Sequence, residues 1–193
     1  MLKPINEIFY SLQGEGFYSG RPAVFVRFSG CNLRCPFCDT DHSAFTMMSE
    51  EDIVRKAAEF PARFVVLTGG EPSLFITETL VALFHEAGFY IAVETNGTHV
   101  LPEGIDWITL SPKDTVCDNA HVVLTHADEV KVIFGAGNPE DYLHIPAAHY
   151  YLQPCDEGDA AVNARNAEAC IDYCKAHPVW NLSLQVHKML GIR

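Results

Sequence analysis

The chain reads as an α/β protein on a mostly parallel sheet that closes only in part. Three observations predict this. Short apolar runs rich in Val, Ile and aromatic residues alternate with segments whose apolar residues recur at helical spacing, the pattern of strands feeding crossover helices. Polar or glycine-rich motifs stand just after the strands, at 31–40, 68–72, 94–97, 111–113 and 153–156. That is where loops at the C-terminal face of a barrel carry active sites. Finally, 193 residues fall short of the ~250 typical of eight units, so some helices must be reduced to loops. The expectation is a partial, open TIM-like barrel of about six units, (β/α)6. The length predicts one domain over 1–193, with one sizeable core.

Each element has its own signal. Ile5-Asn6-Glu7-Ile8-Phe9-Tyr10 alternates as a half-buried strand does, and Leu12-Gln13-Gly14-Glu15-Gly16 then forms a turn. Its glycines permit positive φ and a close approach of backbone to ligand. Residues 23–28 form a buried strand that Ser29-Gly30 ends. Ser49 caps a helix with Glu50, Glu51 and Asp52 in its first turn, running to about Phe60 and stopped by Pro61. A strand at 64–67 delivers Thr68-Gly69-Gly70-Glu71-Pro72. A helix over 77–87 ends at Gly88, and the next strand spans 90–93. Shorter strands follow at 107–110, 129–133 and 150–152. The last long helix covers 161–176 before Pro178, and a final strand at 182–186 leads into the tail 187–193.

Acidic residues number 25 against 13 basic, a formal net charge of −12. Such a surface repels phosphate backbones and anionic lipid, which argues against nucleic acid and membrane partners. No apolar run approaches the ~18 residues of a membrane span. The first residues lack a signal-peptide core, and the expected location is cytoplasmic. Basic residues at motif positions therefore stand out. Arg27 interrupts an otherwise apolar strand four residues before Cys31.

Cys31-x3-Cys35-x2-Cys38 puts three thiolates on one loop. They can hold three corners of a [4Fe–4S] cube, leaving one iron open to a non-protein ligand. Zinc in a Cys31, Cys35, Cys38, His42 set is the alternative. Seven cysteines in all is an odd number, against a disulfide framework. Cys170 and Cys174, at i and i+4 on the last helix, read as small apolar residues on its buried face. Cys117 sits in a loop with no assigned role.

The cysteine spacing, with Phe37 before the third cysteine, resembles that of the radical S-adenosylmethionine (SAM) superfamily. Leu12-Gln13-Gly14-Glu15-Gly16, Cys38-Asp39-Thr40, Thr68-Gly69-Gly70-Glu71-Pro72, Glu94-Thr95-Asn96-Gly97, Ser111-Pro112-Lys113, Gln153-Pro154-Cys155-Asp156 and the tail ending Leu190-Gly191-Ile192-Arg193 together resemble the 7-carboxy-7-deazaguanine synthase family. That resemblance covers the chain from Pro4 to Arg193. It implies a barrel of the radical SAM type, a [4Fe–4S] cluster, SAM and Mg²⁺. It also implies conversion of 6-carboxy-5,6,7,8-tetrahydropterin to 7-carboxy-7-deazaguanine with loss of ammonia. On this resemblance an adenosyl radical would take a hydrogen from the carbon bearing the carboxylate, the ring would contract and SAM would be regenerated, with no side chain serving as catalytic acid or base.

By motif, Cys31, Cys35 and Cys38 would ligate the cluster and Thr40 the Mg²⁺. Phe37, Cys38, Asp39, Gly70, Ser111, Pro112, Lys113, Gln153, Pro154, Cys155 and Asp156 would bind SAM. Leu12, Gln13, Gly14, Arg27, Thr68 and Arg193 would hold the pterin, with Glu94 and His187 as further contacts. A homodimer and an electron donor such as flavodoxin are the implied partners. The competing readings are another radical SAM enzyme, such as a glycyl-radical activating enzyme, and a zinc-stabilised binding module without catalysis. Cys155 is a departure, a soft thiol in a SAM motif that does not require one.

Overall fold

The computed structural model describes residues 1–193 except Asp39 and His42. Among the described residues the strands are β1 (Lys3–Leu12), β2 (Pro22–Phe28), β3 (Thr46–Met48), β4 (Phe64–Gly69), β5 (Tyr90–Thr95), β6 (Trp107–Leu110), β7 (Glu129–Phe134), β8 (His149–Pro154) and β9 (Asn181–Leu182). The helices are α1 (Glu50–Ala57), α2 (Glu78–Glu86), α3 (Ala160–Ala176) and α4 (Val186–Leu190). The strands form one sheet in the order β3-β1-β2-β4-β5-β6-β7-β8-β9, with β3 and β9 as edges, so the barrel stays open.

From β2 to β9 every neighbouring pair is parallel. β1 is the exception: it runs antiparallel to β2, because the short turn between them leaves no room for a crossover. β3 pairs with its other edge, also antiparallel. Three exposed or half-exposed residues gave β3 no periodic signal in the sequence.

Alternation along the strands sets the two faces of the sheet. One set, including Val24, Val26, Phe28, Val65, Leu67, Ile91 and Val93, packs against Ile53 and Val54 of α1 and Leu80, Val81 and Phe84 of α2. Full burial of Phe28 or Phe84 contributes about 1.5–3 kcal/mol each. A second cluster joins Val130, Val132 and Leu152 to Cys170 of α3 and Trp180. On the inner face the lower positions are apolar: Phe25, Val66, Ala92 and Trp107 cluster with Phe9 and Phe64. The upper inner positions are polar, and they make the site.

α1 begins at the predicted Ser49 cap, and α2 and α3 are capped in the same way. Ser49 accepts from Asp52 N at 3.1 Å, Thr77 from Leu80 N at 3.2 Å, and Asp159 from Ala161 N and Val162 N. α1 stops before the predicted Phe60, since a residue preceding proline disfavours the helical region. Between β5 and β7 the described residues contain no α-helix, as the short chain requires. The expected strand at 182–186 is corrected. Only Asn181–Leu182 pairs with β8. Ser183 then turns inward to donate to Gln153 Oε1 at 3.0 Å, Val186 N donates to Gly14 O at 3.0 Å, and α4 begins. Hydrogen bonds to the turn after β1 replace those that would have extended the sheet. No helix of the described residues is long and apolar enough to cross a membrane.

Candidate active site

The loop after β2 is tied to the loop after β4 by backbone. Gly70 N donates to Phe28 O and Glu71 N to Gly30 O, both at 3.0 Å. A Cβ on Gly70 would lie 1.9 Å from Gly30 O, so only glycine allows this approach. Glu71 is buried and accepts from Thr95 Oγ1 at 2.6 Å, Asn96 N at 2.7 Å and Ser73 N at 3.0 Å. It therefore joins the ends of β4 and β5. Asn32 accepts from Asn96 Nδ2 at 3.1 Å and donates to Thr98 Oγ1 at 2.9 Å, while Leu33 is buried as the loop's anchor. The far end is held by Asn6, whose amide donates to Asp41 O and Ala44 O.

These loops surround one cavity of about 830 Å³ at the C-terminal ends of the strands. Cys31, Cys35, Phe37, Cys38 and Thr40 line it, as do Gly70, Ser111, Lys113, Gln153, Pro154, Cys155 and Asp156. So do Leu12, Gln13, Gly14, Arg27, Thr68 and Arg193, and also Glu94 and His187. The structure thus gathers residues that the sequence spreads over nearly its whole length. Pro112 is not in the lining; it is buried behind it. Asp39, expected at SAM, and His42, the fourth member of the zinc alternative, lie outside the described residues.

Two charged groups define the cavity's ends. On the β1–β2 side Arg27 Nε lies 3.0 Å from Glu7 Oε1, Arg193 pairs with the other Glu7 oxygen, and both guanidinium carbons lie over the Phe9 ring, at 5.8 and 5.2 Å. Ser11 Oγ donates to Arg193 O at 2.6 Å, fixing the tail along β1. On the β5–β7 side Lys131 Nζ sits 2.6 Å from Glu15 Oε2 and 2.9 Å from Glu94 Oε2. Gln185 donates to Glu15 at 3.0 Å and Gln13 to Glu94 at 3.2 Å. Burial pushes the Glu15 carboxyl up, but Lys131 outweighs it and holds the group at about 2. Burial prevails at Glu94, which is raised to about 7 against the pull of Lys131, with Glu129 and Glu15 adding to the rise. Lys131 itself is raised: burial works against its charge, and Glu15, Glu94 and Glu129 overcome it.

Glu7, Glu15 and Lys131 were not read as site residues. Lys131 carries the signal that found Arg27, a cation inside an apolar strand (Glu129-Val130-Lys131-Val132-Ile133). Lys113, expected at SAM, donates to Ser111 O and Ser111 Oγ, both at 2.7 Å; burial lowers it to about 8. Asp156 accepts from Lys188 at 2.9 Å and Asn163 at 2.6 Å, and Lys188 first among these holds it at about 2.

The thiols suit iron. Burial raises Cys31, and burial with the Cys117 thiol pushes Cys35 up to about 12. Metal binding must therefore release their protons. Among the described residues no three Cys, His, Asp or Glu side chains already converge on one point, while Cys31, Cys35 and Cys38 line the same cavity. Three soft thiol donors, the Gly70 cradle and a cavity of this size fit a cluster with SAM and a bicyclic ligand beside it.

The sequence model of the radical SAM superfamily matches residues 25–144. A 7-carboxy-7-deazaguanine synthase from Bacteroides thetaiotaomicron is 50% identical over 193 residues, all of both chains. Another from Bradyrhizobium diazoefficiens is 39% identical over 98% of each. The chain belongs to the 7-carboxy-7-deazaguanine synthase family. The crystal structure of QueE from Escherichia coli agrees, with a TM-score of 0.81, 32% identity and coverage of 97% of this chain and 95% of that one. Membership implies a [4Fe–4S] cluster and SAM. It decides against the activating-enzyme and zinc-module alternatives, and the open barrel of the radical SAM type stands as expected.

Proposed function

We propose that this chain converts 6-carboxy-5,6,7,8-tetrahydropterin to 7-carboxy-7-deazaguanine with loss of ammonia, a step toward queuosine and related 7-deazapurines. The observation that carries the reading is the two-ended cavity. Arg27 and Arg193 share a single carboxylate, Glu7, so a substrate carboxylate has guanidinium donors to take up. Glu15 and Glu94 share one ammonium, which leaves carboxylate acceptors for the ring N–H groups of a pterin. Leu12, Gln13, Gly14 and Thr68 line the space between them.

Cys31, Cys35 and Cys38 would hold the cluster. Phe37, Cys38, Asp39, Gly70, Ser111, Pro112, Lys113 and Gln153 to Asp156 would bind and orient SAM. When bound, cluster and SAM supply the one-electron cleavage that starts radical chemistry. Thr40 offers a hard oxygen to Mg²⁺, which keeps several waters and takes few protein groups. The chain works as one domain, as a cytoplasmic homodimer, and takes its electron from a donor such as flavodoxin.

Calorimetry tests the substrate reading. 6-Carboxypterin binds the loaded protein, and pterin without the carboxylate binds more weakly by roughly 1.5–3 kcal/mol, the value of a charge-assisted hydrogen bond. Equal affinities for the two would refute it.

A further inference from the structure

A fourth thiol approaches the cysteine motif from a distant part of the chain. Cys117 lies in the loop after β6, and its Sγ is 3.7 Å from Cys35 Sγ. The loop is well held. Val116 N and Cys117 N both donate to Lys113 O, at 3.0 and 2.9 Å, and the fully buried Ala120 donates its N–H to Cys117 O at 3.0 Å. Asn119 Nδ2 reaches Asn32 O at 3.5 Å, so the turn docks on the cysteine loop itself. A second recess of about 440 Å³, lined by Asn32, Arg34, Val116, Cys117, Asp118 and Asn119, opens at this junction. Cys117 thus borders a recess whose lining is separate from that of the main cavity.

Two sulfurs at this separation are in van der Waals contact, and a disulfide needs about 2 Å between them. Forming the bond requires rotation of a side chain or a shift of one loop to close the remaining gap. We propose that Cys35 and Cys117 form a reversible disulfide when peroxide strips the cluster, storing Cys35 in a recoverable form. This rests on Cys35 being a cluster ligand. Peroxide converts one freed thiol to a sulfenic acid and leaves as water. The second sulfur attacks the sulfenyl sulfur, the S–O bond breaks, the S–S bond forms, and a second water departs. Two thiols and one peroxide give one disulfide and two waters. A dithiol reductant reverses the step by exchange. Without the neighbour, the sulfenic acid proceeds to the sulfinic and sulfonic acids, which a thiol cannot reduce.

The test starts from the full chain loaded anaerobically with iron and sulfide, then treated with hydrogen peroxide. Remaining thiols are alkylated and the digest is mapped by mass spectrometry. A Cys35–Cys117 linked peptide is expected, lost on treatment with dithiothreitol, after which renewed iron and sulfide restore the starting iron content. Cys117→Ser should load the same iron when fresh and melt like the parent. After peroxide it should carry sulfinic or sulfonic Cys35 and show a lasting loss of iron binding. Cys35 paired with Cys31 or Cys38, or over-oxidised in the parent, overturns the proposal. So does full recovery by Cys117→Ser, or a lower initial iron content in that variant, which would make Cys117 a ligand. The parent's peptide map decides alone if the variant folds poorly. A parent that binds no iron at all would instead defeat the cluster reading.

Discussion

Replacing Lys131 by Met removes an ammonium whose side chain is 5% exposed and which faces two carboxylates at 2.6 and 2.9 Å. Methionine fills much of the volume, so the loss is electrostatic. Glu15, held at about 2 by Lys131, is then a buried carboxylate without its cation. Breaking a buried pair from one side costs about 3–5 kcal/mol. Against a typical total stability of about 5–15 kcal/mol, the variant should stay folded, with a clearly lower urea midpoint and an unchanged slope. Adding Glu15→Gln removes the stranded charge and should recover most of that midpoint. Turnover should not recover with it, because the acceptors for the pterin ring are no longer held in place. Urea unfolding by circular dichroism and substrate kinetics on the same preparations check both halves. A Lys131→Met midpoint equal to the parent's would show that solvent screens the triad. Recovery of turnover with the midpoint in the double variant would show that its role is stability alone.

Other expectations concern single positions. Glu94, raised to about 7 from an ordinary 4.5, binds its proton more tightly folded than unfolded. Its contribution is therefore fully present below about pH 4.5 and lost as pH rises through 7, by at most ~3 kcal/mol. Glu94→Gln should flatten the fall in stability between those values, and an unchanged pH profile would refute the shift. Gly70→Ala drives a Cβ to 1.9 Å from Gly30 O, a backbone atom that cannot swing aside. It should cost about 1–3 kcal/mol and weaken SAM binding; calorimetry showing parental SAM affinity would remove Gly70 from that site. A short peptide added after Arg193 should disturb the bond from Ser11 Oγ and raise KM for the carboxypterin, with iron content and melting temperature kept. The same peptide before Met1 is the control, and equal kinetics for the two would place Arg193 outside the substrate site.

The architecture was legible where periodicity was strong. Apolar runs such as Phe64-Val65-Val66-Leu67 and capped helices such as that after Ser49 appear close to their predicted bounds, and the motifs after them meet at one cavity. What was hidden has physical reasons. β3 is too short for a pattern to show. Residues 183–186 alternate like a strand, but the side chains of Ser183 and Gln185 find partners in Gln153 and Glu15. Glu7 looked like the polar half of an amphipathic strand, and its pairing with Arg27 and Arg193 joins residues far apart in sequence. Glu71 read as part of a glycine turn, whereas its carboxylate joins the ends of two strands. Lys131 was visible in principle, by the argument already applied to Arg27.

The most direct test of the central claim is one anaerobic incubation of the iron-loaded chain with 6-carboxy-5,6,7,8-tetrahydropterin, SAM, Mg²⁺ and a low-potential reductant, followed by mass spectrometry and an ammonia assay. The expected result is 7-carboxy-7-deazaguanine and ammonia accumulating in equal amounts over many turnovers while SAM is not consumed, and neither forming with Cys35→Ala. SAM cleaved with no pterin-derived product, or consumed one for one with it, would contradict the claim.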